Sequence, residues 1–118
     1  MASAALFIGW GPAVRGREQK ALQVFNEGVQ YWTRLQQQGE IESFEPVLLE
    51  PHGGDLGGFA LLRGDAERLA RLRTSEEFLR LNNRAGLVVE NFGVIGAYIG
   101  EGLQSQFADF QNQIGELA

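Results

Sequence analysis

The sequence predicts an α+β fold: a four-stranded antiparallel sheet in the order βαββαβ, with a further helix at the C-terminus. Three observations lead there. Four runs of strand character, bounded by Gly or Pro, fall at residues 4–10, 41–50, 59–62 and 87–99. Two stretches with apolar residues at three- and four-residue spacing follow the first and third of them. A compact link at 56–65, Leu-Gly-Gly-Phe-Ala-Leu-Leu-Arg-Gly-Asp, feeds one strand straight into one helix.

Residues 4–10 are apolar on both pleat faces, with Leu6, Ile8 and Trp10 on one and Ala5, Phe7 and Gly9 on the other. Such a strand is covered on both sides. Over 17–38 the period changes: Leu22, Phe25, Val29, Trp32 and Leu35 form the wide apolar face of an amphipathic helix. Gly39 stands where a C-terminal cap belongs. Gly28 is unfavourable within that helix by about 1 kcal/mol against Ala, which suggests a close approach to the sheet.

The second strand, 41–50, contains Pro46, which cannot donate to a ladder and so fits an edge. Pro51-His52-Gly53-Gly54-Asp55 is a turn, so the second and third strands form a hairpin. Gly64 ends the third strand and Asp65 offers an oxygen to the free N–H groups of the next helix. Thr74 and Glu77 read as a capping box that restarts this helix. Residues 87–99 read as a long strand, bent near Gly93 or Gly96 and buried on both faces towards its end. Right-handed crossovers place strands one and three side by side, strand four beyond one and strand two beyond three.

Leu103, Phe107, Phe110, Ile114 and Leu117 form an apolar seam at heptad spacing. Two heptads are too few to stand alone, so this tail helix packs on the domain or on a partner. The division expected is a domain at 1–100 and an amphipathic helix at 101–118. The helices cover one sheet face. The other is apolar too, and a second copy stacked face to face would cover it.

The totals set limits. At 118 residues the chain is one domain, burying roughly two-thirds of its unfolded surface. With no cysteine it can build neither a disulfide nor a thiolate site. The net charge is −5, and the six Arg of residues 63–84 are interleaved with four acids. Without a basic stripe, nucleic acid is not an expected partner. No apolar run approaches a membrane span and no signal peptide is read, so a cytoplasmic protein is expected.

The βαββαβ order, the 56–65 link and the Ser-Glu-Glu-Phe restart at 75–78 resemble the dimeric α+β barrel superfamily, over about residues 4–100. Its members have a ferredoxin-like fold. They include cofactor-independent monooxygenases of the antibiotic-biosynthesis type, isomerase-like and haem-dependent relatives, and many small bacterial proteins without an assigned role. The chain is most similar to the last group. The resemblance implies a homodimer whose two sheets enclose a barrel, with any ligand pocket between sheet and loops.

Several residues are candidates for a site. His52, the one histidine, is the side chain best tuned for acid–base work at neutral pH, and Asp55 is placed to orient it. It would also have to be the proximal ligand of any haem, which its glycine-rich loop argues against. Glu90 interrupts an apolar run; pointing into a barrel it would be a desolvated carboxylate and a base. Phe92 and Tyr98 share its side of the pleat, and Trp10 ends the first strand near a mouth. Trp10, Glu90, Phe92 and Tyr98 are therefore the expected ligand contacts, with His52 and Glu90 the catalytic candidates. Arg15, Arg17 and Lys20 flank a helix start that suits an anion or bulk water. No metal site and no cofactor is implied.

The expected function is a homodimeric module for a small apolar ligand. One alternative is a cofactor-independent monooxygenase or isomerase acting on an apolar aromatic or polyketide-like substrate. Another is an interaction protein that uses the tail helix.

Overall fold

The computed structural model describes residues 2–118. Its elements run β1 (Ala4–Trp10), α1 (Glu18–Gln37), β2 (Ser43–Leu48), β3 (Gly58–Gly64), α2 (Ala66–Arg73), α3 (Glu76–Gly86), β4 (Gly93–Tyr98) and α4 (Gly100–Leu117). The strands form one antiparallel sheet in the order β2-β3-β1-β4. This is the α+β arrangement expected, with Pro46 on the edge strand β2.

Local chemistry explains most boundaries. α1 ends in a Schellman turn: Gly39 sits at φ 78° and its N–H donates to the Gln36 carbonyl, while that of Glu40 donates to Leu35. Asp65 caps α2, its Oδ2 accepting from the Arg68 amide at 3.1 Å. The restart at α3 lies one residue later than the capping box suggested. Ser75 is the N-cap residue, and both hydroxyls turn back, Thr74 to the Arg71 carbonyl and Ser75 to that of Leu72.

β4 is shorter than expected, and its start explains why. The Val88 and Val89 amides donate back to Ala85, and Asn91 takes a left-handed φ of 55°. Apart from an isolated bridge between Val89 and Ala13, the ladder with β1 therefore begins only at Gly93. As an edge strand of a single chain, β4 is largely exposed rather than buried on both faces. Gly28 differs too. A Cβ there would lie 3.3 Å from the Trp32 ring one turn on, so the glycine makes room for an indole rather than for the sheet.

Pairing register sorts the side chains. On one face Leu6 stands opposite Leu62, and Ile8 opposite Ala60 and Val94. Tyr31, Trp32 and Leu35 of α1, Leu69 and Leu72 of α2 and Phe78 of α3 pack on this face and form the core. Each such side chain contributes roughly 1.5–3 kcal/mol by leaving water. On the opposite face Phe7 stands across from Leu61 and Ile95, and its ring stacks on Phe59 at 5.0 Å. Ile95 is 63% exposed there. The helices pack on the first face, and α4 does not fold back over the second: Phe107, Phe110, Ile114 and Leu117 are all exposed.

Candidate functional site

The cavity best placed for a ligand opens between α1, the end of α3 and the sheet, with a volume of about 330 Å³. Ile8 and Trp10 of β1 and Phe92 form its floor; Ala21, Leu22, Phe25 and Trp32 of α1 form its roof. Asn82 and Ala85 of α3, with Val88 and Val89 after it, close one side. Trp10 meets Phe25 edge to face at 5.7 Å. Leu22 and Leu48 stand at the rim, 62% and 72% exposed.

The floor is held by backbone bonds among three loops. The Gly57 amide donates to Trp10, the Gly11 amide to Glu90, and the Glu90 amide to Pro12. Gly11 has to be glycine here, since a Cβ would lie 2.8 Å from the Glu90 carbonyl oxygen. The roof is tied to α3 by ion pairs. Arg84 grips both carboxylate oxygens of Glu27 at 2.9 Å, and Arg34 meets Glu77 at 2.6 Å. The Arg84 guanidinium holds the Glu27 carboxyl below its ordinary pKa.

The lining is almost wholly apolar. Glu18 and Asn82 are its charged and amide side chains, and the two indoles of Trp10 and Trp32 can add N–H donors. Glu18 accepts from the Gly16 amide at 3.1 Å. No Lys, Arg or His lines the cavity among the described residues, nor does any Ser, Thr or Cys that could serve as nucleophile. Such a site holds a hydrophobic body and orients one polar group at its edge.

The structure brings together two of the four expected ligand contacts. Trp10 and Phe92 both line the cavity. Glu90 sits in the exposed loop before β4, joined to the site through its backbone only. Tyr98 pairs with Ala4, at the opposite end of β1 from Trp10, and is exposed. His52 lies in the exposed β2–β3 turn. Its Nδ1 accepts from the Gly54 amide and its Nε2 bonds the Leu56 carbonyl at 2.7 Å, which leaves no role for Asp55 in orienting it. Among the described residues no three potential metal ligands cluster, and no helix is long and apolar enough to cross a membrane.

Glu18 and Asn82 are not singled out by the sequence: one reads as an ordinary polar first-turn residue, and the other, four residues after Phe78 on the same helix face, is a lone amide that the apolar residues around it mask. The legible signal was the breadth of the α1 face, where Leu22 and Phe25 extend the stripe beyond what the core covers.

No protein-family model matches the chain, and no curated protein matches it in sequence. Solved structures do match in fold. A DABB-family protein with a ferredoxin-like fold from Mesorhizobium loti aligns over 83% of this chain and 98% of its own, at 13% identity and a TM-score of 0.63. A dimeric ferredoxin-like protein of unknown function from Bacteroides fragilis covers 81% and 96%, at 14% identity and TM-score 0.57. SnoaB, a cofactor-independent oxygenase from Streptomyces nogalater, covers 84% and 95%, at 14% identity and TM-score 0.54. The chain thus has the ferredoxin-like fold of these structures.

Proposed function

We propose that this protein is a homodimer that binds a small apolar ligand in the cavity between α1 and the sheet. The observation that carries the reading is the cavity itself: about 330 Å³, aromatic on floor and roof, with Glu18 and Asn82 as its polar side chains. Trp10 and Phe92 are the ligand contacts the sequence and the cavity have in common. The uncovered sheet face of Phe7, Phe59, Leu61 and Ile95 supports the dimer, as do dimeric fold neighbours.

The chain has two tryptophans and both line the cavity, so its intrinsic fluorescence reports on occupancy. Titration with flat hydrophobic probes, such as a naphthol and an anthraquinone, should shift and quench that emission with saturation. Ala21→Phe, which fills the cavity from α1, should abolish the response while the far-ultraviolet circular dichroism stays unchanged. A linear, non-saturating response in the native chain would remove the reading.

A second reading is favoured by the likeness to SnoaB: oxygenation of an electron-rich aromatic or polyketide-like substrate, which itself supplies the electrons to O₂. Oxygen uptake with a polycyclic phenol, lost in Ala21→Phe, is the expected result. Uptake equal to that of buffer alone would leave binding as the function.

A further inference from the structure

α4 presents a long apolar stripe to solvent. Leu103, Phe107, Phe110, Ile114 and Leu117 are all exposed, the last at 86%. Their steps of four, three, four and three place them at successive d and a positions of a heptad. A helix that covers a sheet uses a broader band, as α1 does with Val24, Tyr31, Trp32 and Leu35. An a/d stripe alone is the seam by which one helix packs on another.

The flanks identify the partner helix. Counting from Leu103 as d, every e and g position between the ends of the seam is glutamine: Gln104, Gln106, Gln111 and Gln113. The acids Glu101, Asp109 and Glu116 fall at b and c, on the outer side. Those flanking positions normally carry the charges that select or reject a partner. Neutral flanks let two identical acidic helices meet without repulsion. The absence of any Lys or Arg after Arg84 makes an anionic membrane surface a poor alternative.

We propose that α4 is a self-pairing helix: its seam packs against the α4 seam of a second copy of this chain. The proposal rests on the homodimer reading and adds a second, helical contact to the stacked sheets. The two surfaces adjoin, because α4 starts directly after β4, which carries Ile95 on the open face. Gly100, at φ 54°, turns the chain into α4, and Gly102 lies against the Ser3 carbonyl, so the domain sets the direction of the helix. With 18 residues α4 spans about 27 Å, too short to pair in isolation. Tethering by docked domains supplies the missing local concentration.

The test uses the full chain with the four flanking glutamines replaced together, either Gln104→Glu, Gln106→Glu, Gln111→Glu and Gln113→Glu, or the same four to Lys. These side chains are exposed, so the domain should keep its native circular dichroism. In sedimentation at low salt, each variant alone should dimerise at least about tenfold more weakly than the native chain. Mixing the two, differently tagged, should give mixed dimers well above the statistical half, and about 1 M salt should erase that preference. Statistical mixing, with native-strength dimers from each variant, would overturn helix pairing and leave the sheet dimer standing. A native chain that stays monomeric at tens of micromolar would overturn the dimer reading itself, and the pairing with it.

Discussion

Asp65 shows how much one side chain can determine. It sits between Gly64 and the first turn of α2, and its Oδ2 takes the Arg68 amide that the helix leaves unpaired. Asp65→Ala should cost about 1 kcal/mol of stability in urea titration and leave ligand response intact. Glu27 is a different case, since its partner Arg84 is distant in sequence. The folded carboxyl titrates below its ordinary value, first because of the hydrogen bond from Arg84. Its contribution is therefore full above the unfolded pKa and is lost as pH falls through the folded one. Both side chains are more than a third exposed, so Glu27→Gln should cost less than about 1 kcal/mol at neutral pH. That difference should vanish below the carboxylate range when the two proteins are melted side by side. The cap was legible in sequence because capping is local; the ion pair was not, because it joins residues 57 positions apart.

At the scale of elements, α3 is fastened to the rest by two kinds of contact of unequal weight. Phe78 is 2% exposed and packs among the side chains of the core. The pairs Arg34–Glu77 and Arg84–Glu27 lie at the surface. Burial outweighs surface pairing, so Phe78→Ala should cost about 3–5 kcal/mol and Arg84→Ala under about 1 kcal/mol by denaturant titration. Helices were legible in the sequence, since a period of three to four and a terminal glycine are strong marks. β4 was less so. A run of Val, Ile and Phe shows apolar content, but Asn91 in the left-handed region and the bonds from Gly11 and to Pro12 decide where pairing starts. Those depend on a loop nearly 80 residues earlier and leave no periodic trace.

For the whole molecule the organising fact is an imbalance. One side of the sheet is covered by α1, α2 and α3; the other presents Phe7, Phe59, Leu61 and Ile95. Ile95→Arg alters a residue 63% exposed in the single chain, so the domain should remain folded while the light-scattering mass falls to that of one 13.0 kDa subunit. A variant that keeps a dimeric mass would place the proposed dimer contact elsewhere, and a native chain with the mass of one subunit would remove the dimer. By itself the sequence determined the α+β class, the strand order, the edge position of β2 and the two apolar faces of β1, because alternation, helical period and turn residues are local and repeat. Only the tertiary structure decided where the cavity lies. The floor comes from β1 and the β4 loop, the roof from α1, and the polar rim from Glu18 and Asn82, which are 64 residues apart in the chain. A hollow is the space that packed elements fail to fill, and no single stretch of chain encodes it.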